Sequence, residues 1–466
     1  MDLSGRRVLV LGLGETGLSV ARWVAREGGA VRVADTRAVP PALASLRAAL
    51  PQAEVLTGPF NDALLQGVAL VAASPGVPIA EPVVQAALAR GLEVVGDIEL
   101  FARFLARERS ARSIAITGTN GKSTVTALAG SMCRAAGLDC EVAGNISPAV
   151  LTALLGRLEA GRLPEIWVLE LSSFQLETTR SLAADAATVL NVSADHLDRY
   201  PSVEAYAAAK ACVFERCKVQ VLNRDDRYSA AMRRPGERAV TFGLDPAPAH
   251  EDFGLLKVFG EHWLAMGGTP LVPMRELKLA GLHNAANALA ALALCRAVGL
   301  PLAPLIGALK GFAGLPHRVE RVSEIGGVQF YDDSKGTNVG STVAALAGLA
   351  RQLNGSGGKV VLIAGGEGKQ QDFAPLRAAI ADAAHTVVLI GRDAPLIEAA
   401  IAGSGAEIAR ATSMTDAVAL AFDAARPGDI VLLSPACASF DMFRDYKERG
   451  DVFAAAVREL AHARAR

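Results

Sequence analysis

The stretch Ser113-Ile114-Ala115-Ile116-Thr117-Gly118-Thr119-Asn120-Gly121-Lys122-Ser123-Thr124 has the residue types and spacing that hold a nucleoside triphosphate. A short apolar strand, a glycine turn and a helix start bring backbone N–H groups together on an anion. Lys122 adds a full positive charge and Ser123 offers a hydroxyl to Mg²⁺. The usual pattern has Gly six residues before the Lys, where this chain has Ile116. Strand, Gly-Lys-Ser and helix in that order still favour phosphate binding over an ordinary βα turn.

Further candidates lie at the ends of apolar runs. Residues 166–173 put Glu170 near the carboxyl end of an apolar strand, where a charge is costly unless it is paired or bound to a metal. Residues 188–192 read as another strand, leading into Asp195-His196-Leu197-Asp198. His196 is either a turn residue held by its aspartates or a functional group at a strand end. Lys210, in an Ala-rich helical segment, has the composition of a solvated surface lysine. Asn284 and Asn287 share one face of a helix starting at Leu282 and suit either an adenine edge or helix capping.

These groups need rigid elements behind them. Residues 6–11 read as a strand, Gly12-x-Gly14-x-x-Gly17 opens a helix, and residues 30–34 form a second strand closed by Asp35-Thr36-Arg37. This is a dinucleotide fingerprint and predicts a diphosphate at the helix start. Arg37 beside Asp35 argues against plain NAD. Strands at 68–73 (ending in Ser74-Pro75-Gly76) and 93–95 continue a parallel, doubly wound sheet. Gly311-Phe312-Ala313-Gly314-Leu315-Pro316 reads as a linker. After it, strands at 328–331, 359–364, 386–390 and 430–433 alternate with polar loops that bring Lys335, Lys369 and Ser439 to one sheet edge, with Arg318 just ahead of them.

The 466 residues suggest about three domains, and 51% hydrophobic with 20% charged residues describes an ordinary globular chain. A net charge of −1 gives no electrostatic case for nucleic acid or an anionic membrane. No run is long and apolar enough for a membrane span, and no signal peptide is evident. Six scattered cysteines without a C-x-x-C pair read as reduced thiols. The expectation is a cytoplasmic monomer.

A triphosphate loop, a second anion site and a basic sheet edge together fit ATP-driven joining of a carboxylate to an amine. The residues that carry this fit also carry a resemblance. Gly118-Thr119-Asn120-Gly121-Lys122-Ser123-Thr124, Glu170-Leu171-Ser172-Ser173-Phe174-Gln175-Leu176, Asp195-His196-Leu197-Asp198-Arg199-Tyr200, Leu282-His283-Asn284, Pro316-His317-Arg318, Asp333-Ser334-Lys335-x-Thr337-Asn338 and Ser434-Pro435-Ala436-x-Ala438-Ser439 are similar to motifs of the Mur ligases. These are ATP-dependent amide-forming enzymes of bacterial peptidoglycan precursor synthesis, and the resemblance covers essentially the full length.

The resemblance implies a Rossmann-like domain over 1–110 for a UDP-linked substrate, a P-loop ATPase-like domain with a parallel sheet over 111–314, and a Rossmann-like amino-acid domain over 315–466. It implies that Gly118, Thr119, Asn120, Gly121, Lys122, Ser123, Thr124, Asn287, Arg318 and Asp333 bind ATP. Two Mg²⁺ ions are implied, on Ser123, Glu170, His196 and Lys210, the lysine carrying a CO₂-derived carbamate. Gly14, Thr16, Gly17, Asp35, Thr36, Arg37, Ser74 and Asn145 would hold UDP-N-acetylmuramoyl-L-alanine. Lys335 would act in catalysis. Thr337, Lys369, Ser439, Phe440 and Tyr446 would surround D-glutamate, with Tyr446 where the family's pattern has Phe. Other readings are a sibling ligase, a folylpolyglutamate synthase-like ligase, or an NAD- and ATP-binding switch that leaves Lys335, Lys369 and Ser439 unexplained.

Overall fold

The interior strands are near-continuous apolar runs, as a parallel sheet covered by helices on both faces requires. Val8 to Leu11, Ile166 to Leu169 and Val360 to Ala364 are fully buried examples. The computed structural model describes residues 3–108, 111–279, 281–353 and 357–464. They group into two units. The first comprises Met1–Val192, Glu204–Pro273 and Ala288–Leu309; the second comprises Ser193–Val203, Met274–Asn287 and Lys310–Arg466.

The first unit holds two sheets. One contains β1 (Arg7–Leu11), β2 (Ala30–Asp35), β3 (Glu54–Thr57), β4 (Leu70–Ala73) and β5 (Glu93–Val95), all parallel, in the order β3-β2-β1-β4-β5. The order reverses between β1 and β4, and the crevice at their carboxyl ends is where such sheets take ligands. Tight packing there needs glycine: a Cβ on Gly17 would lie 1.9 Å from the Gly12 carbonyl oxygen.

The other sheet is built from β6 (Arg112–Thr117), β7 (Cys140–Gly144), β8 (Ile166–Glu170), β9 (Ala186–Val189), β10 (Val219–Asn223), β11 (Arg238–Phe242), β12 (Phe253–Val258), β13 (Glu261–Met266) and β14 (Thr269–Pro273). Its order is β14-β13-β12-β11-β10-β9-β6-β8-β7. The strands from β6 to β11 are parallel, whereas β12 to β14 form an antiparallel meander. The purely alternating expectation omitted this meander. Its two-residue connections, Phe259-Gly260 and Gly267-Gly268, both use positive φ, the twist that suits tight hairpins. A second departure is β9, which stops at Val189 rather than 192, because the chain beyond it turns to support the phosphate loop.

The second unit holds β15 (Glu320–Ile325), β16 (Val328–Asp332), β17 (Val360–Gly365), β18 (Ala384–Ile390), β19 (Glu407–Arg410) and β20 (Ile430–Leu433), in the order β15-β16-β20-β17-β18-β19. Only β15 is antiparallel. Because β16, β20 and β17 are neighbours, their following loops share one sheet edge.

Within the first unit, the helix Asp97–Glu108 docks on residues 180–181 through Glu99. This buried carboxylate accepts from the Arg180 and Ser181 N–H groups at 2.7 and 2.8 Å, from Ser181 Oγ at 2.6 Å and from Arg103 Nε at 2.7 Å. Burial alone would raise its pKa, but the bonds from Ser181, Arg180 and Arg103 outweigh that and hold it below the usual range. A depressed carboxylate pKa stabilises the fold above the unfolded value and ceases to do so as pH falls through the folded one. Glu99→Gln is therefore expected to cost about 3 kcal/mol at pH 7, with the deficit shrinking in acid below about pH 4. Urea unfolding of both proteins across pH checks this; a pH-independent deficit contradicts it.

Candidate active site

At the first sheet, Gly14, Thr16 and Gly17 lie at the start of the helix Glu15–Arg26, beyond β1. Asp35, Thr36 and Arg37 follow from β2, and Ser74 from β4. Asp35 is buried and its carboxylate is fully engaged: Oδ2 accepts from the Leu13 N–H at 2.7 Å, and Arg37 binds both oxygens through Nε (2.8 Å) and Nη2 (2.6 Å). The Arg37 hydrogen bond, against the opposing effect of burial, holds Asp35 down at about 2. Asp35 thus shapes the glycine turn and fixes Arg37. Ser74 Oγ donates to the Gly12 carbonyl at 3.0 Å and ties β4's loop to the same turn.

In the middle sheet, the loop from Gly118 to Gly121 leaves β6 and enters the helix Lys122–Ala135. Gly118 and Gly121 have φ of +149° and +84°, which a side chain would oppose. Lys122 Nζ donates to the carbonyls of Gly118 and Thr119, both at 2.9 Å, and so curls over its own loop. Asn191, which the sequence reading did not single out, braces this loop. Its Oδ1 accepts from the Asn120 N–H at 2.9 Å, its Nδ2 donates to the Asn120 carbonyl at 3.1 Å, and its own carbonyl accepts from the Thr119 N–H at 2.8 Å.

Glu170 ends β8, the strand next to β6, and is buried. Its Oε1 accepts from Asn145 Nδ2 at 2.6 Å, while Oε2 has no hydrogen-bond partner among the described residues. A buried carboxylate oxygen left in this state suits a cation. Asn145 itself lies at the end of β7 in this sheet, against Glu170, so the first sheet contributes the other UDP-site candidates without it. Lys210 is the main reversal of a compositional expectation: it is buried, not solvated. Its Nζ donates to the Gly118 carbonyl at 2.9 Å and lies 4.3 Å from the Tyr206 ring centroid.

His196 and Asn287 group with the second unit. His196 sits on a loop, not at a strand end, with φ +55° and its N–H on Asp195 Oδ1 at 3.0 Å. Asp195 also accepts from Lys369 Nζ at 3.0 Å and from Asn338 Nδ2 at 3.2 Å. Asn287 Nδ2 donates to Asn284 Oδ1 at 3.3 Å, so these two amides partly satisfy each other.

Around β16 and β20, Asp333 is buried and accepts from Ser434 Oγ at 2.7 Å. Burial pushes it up to about 7, against the pull of Ser434 and the Arg318 charge. Lys335 Nζ lies 3.8 Å from the Tyr446 ring centroid. Thr337 follows on the same loop, where its N–H donates to the Lys335 carbonyl at 2.9 Å. Ser439 is buried, whereas Phe440 beside it is 70% exposed. His317, Lys369 and Ala436 take positive φ, so several of these loops are held in conformations that side chains disfavour.

Two of these loops, those after β16 and β20, are held by Arg449, which the sequence reading missed because its composition is that of a surface helix residue. Arg449 lies on the helix Tyr446–Arg464 and is buried. Its Nε donates to Ser334 Oγ at 3.0 Å, Nη2 to the Ser334 carbonyl at 2.7 Å and Nη1 to the Cys437 carbonyl at 3.1 Å. One guanidinium thus joins the loops after β16 and β20. Burial draws it down to about 10, so it remains charged at neutral pH.

Three family models match this chain: the Mur ligase MurD-like N-terminal domain over residues 6–96, the Mur ligase middle domain over 116–295 and the Mur ligase glutamate ligase domain over 317–437. Among curated relatives, a UDP-N-acetylmuramoylalanine–D-glutamate ligase from Nitrosospira multiformis is 55% identical, covering 100% of this chain and 98% of its own. The protein of the same name from Thiobacillus denitrificans is 57% identical with the same coverage. Among solved structures, the UDP-N-acetylmuramate-alanine ligase of Thermotoga maritima superposes with a TM-score of 0.62 at 19% identity, covering 97% of this chain and 99% of that one. At that identity the likeness concerns the fold.

Arg449→Met removes the charge while keeping much of the volume, and leaves two buried carbonyls and Ser334 Oγ without their donor. A loss of about 3 kcal/mol in the stability of the second unit is expected by chemical denaturation. A loss under about 1 kcal/mol would contradict the role given to Arg449.

Proposed function

The chain belongs to the Mur ligase family, and we propose that it joins D-glutamate to UDP-N-acetylmuramoyl-L-alanine at the expense of ATP, forming ADP and phosphate. The observation that carries the ATP part is the phosphate loop of β6 beside Glu170 of β8, whose Oε2 is buried without a partner among the described residues. The name shared by the full-length relatives supports the choice of substrates. No helix among the described residues is long and apolar enough to cross a membrane. A cytoplasmic monomer, with the three domains at 1–110, 111–314 and 315–466, is part of the proposal.

In this reading Lys122 and the loop N–H groups hold the ATP phosphates. Ser123 and Glu170 would hold one Mg²⁺, and the second would involve Lys210 as its carbamate; bound magnesium neutralises phosphate charge. The pocket of Lys210 suits that modification, since a carbamate nitrogen keeps one hydrogen to donate to the Gly118 carbonyl. The substrate carboxylate takes the γ-phosphoryl group and ADP leaves. The amine of D-glutamate then attacks the acyl carbon, a C–N bond forms, the C–O bond breaks, and phosphate departs as the nitrogen loses a proton. Gly14, Thr16, Gly17, Thr36, Arg37 and Ser74 are proposed for the UDP end, and Asn287, Arg318 and Asp333 for the adenosine and phosphate. Lys335, Thr337, Lys369, Ser439, Phe440 and Tyr446 are proposed for D-glutamate.

The test is phosphate release from ATP with UDP-N-acetylmuramoyl-L-alanine present and a panel of amino acids as acceptors. Release with D-glutamate alone is expected; release with another acceptor, or without any, overturns the substrate reading. A second expectation concerns Lys210→Ala, which should lose activity that added bicarbonate does not restore. Substantial residual turnover in that variant excludes the carbamate.

A further inference from the structure

Two loops flank Glu170, and each is held by a carboxylate at the start of a helix that follows a strand of the first sheet. On one side, Asn145 donates from Nδ2 to Glu170 Oε1 at 2.6 Å and from its N–H to the Glu170 carbonyl at 2.8 Å. Just beyond it, Ser147 Oγ and the Ala149 N–H both donate to Glu15 Oε1 at 3.1 Å. Glu15 is the first residue of the helix that opens at the Gly12-x-Gly14-x-x-Gly17 turn. On the other side, Ser172 and Gln175 form a reciprocal capping box two residues past Glu170. The free amide end of Gln175 donates to Asp97 Oδ2 at 3.1 Å and less closely to Oδ1 at 3.4 Å. Asp97 is fully buried and follows β5 directly. At Gly96, a Cβ would stand 2.4 Å from Thr178 Oγ1, so the two segments pack without room for a side chain.

We propose that Glu15 and Asp97 are positioning residues that set the register between the proposed UDP-substrate crevice of the first sheet and Glu170 of the middle sheet. The inference rests on the functional reading above. Phosphoryl transfer needs the substrate carboxylate and the γ-phosphorus in line and about 3–3.5 Å apart. The carboxylate arrives on a ligand held by the first sheet, while the phosphate is held by the second. Contacts made within four residues of Asn145 and within five of Glu170 fix that spacing better than contacts farther out, because few rotatable bonds intervene. Glu15 also sits on the helix that begins at the proposed diphosphate turn, so one rigid element carries both functions.

The experiment compares wild type, Glu15→Ala, Glu15→Gln and Asp97→Ala by steady-state kinetics in all three substrates, with thermal unfolding alongside. Glu15 is exposed at a helix start, so its variants are expected to fold normally. Glu15→Ala should lower kcat about 10- to 100-fold with KM for ATP unchanged, the cost expected of a small misplacement. Glu15→Gln keeps an oxygen that accepts from Ser147 and Ala149 and should stay within about threefold of wild type. Asp97→Ala, which removes the acceptor of Gln175 Nε2, should lower kcat in the same direction. Wild-type kcat in Glu15→Ala overturns the proposal, as does an effect confined to KM for the UDP-linked substrate, which would make Glu15 a local charge at that site. A wild-type protein that releases no phosphate sinks the functional reading and this inference with it, whereas an active wild type with unaffected variants sinks only this inference.

Discussion

A carboxylate buried at the end of a parallel strand sets the terms for the middle of this molecule. Glu170 has one oxygen satisfied by Asn145 and the other unpartnered among the described residues. Burying such a charge is unfavourable, so the surrounding chain must be fixed by other means. That fixing is visible on every side. Asn191 holds the phosphate loop by three hydrogen bonds, Lys122 folds back on two loop carbonyls, and Lys210 reaches the carbonyl of Gly118. The result is a braced phosphate-loop segment beside one buried acceptor oxygen that has no partner among the described residues.

The second unit solves the same problem with the opposite charge. A buried guanidinium, Arg449, replaces water as the donor to two loop carbonyls and a hydroxyl. Buried Asp332 ends β16 and buried Asp333 begins the loop after it, and burial raises both, with His317 and Ser434 opposing the rise. Cation and carboxylates together let positive-φ residues such as His317 and Ala436 persist, because the surrounding bonds over-determine their conformation. Ser334, next to Lys335, is in turn hydrogen-bonded to both the Tyr446 carbonyl and Arg449.

Carboxylates on and beside the first sheet serve as fasteners. Asp35 is spent on Leu13 and Arg37, and Glu99 on Arg103, Arg180 and Ser181. A fingerprint acidic residue that a sequence pattern assigns to a ribose hydroxyl here organises the glycine turn itself. Its chemistry is unchanged, but its acceptors are already occupied.

The sequence determined the local elements. Glycine spacing around Gly12 to Gly17 and Gly118 to Lys122, apolar runs ending in polar residues, and turn composition all act over a few residues, so β1, β5, β16 and β20 and the helix from Leu282 could be read directly. The Gly267-Gly268 turn of the antiparallel meander was written there as well, though parallel alternation obscured it. Only the tertiary structure decided which polar side chains are buried and with whom. Lys210 and Arg449 look like surface residues by composition, Asn191 reads only as part of a strand, and Asp97 meets Gln175 from 78 positions away. Burial and pairing depend on what distant segments bring against a residue, and neither periodicity nor spacing along the chain encodes that.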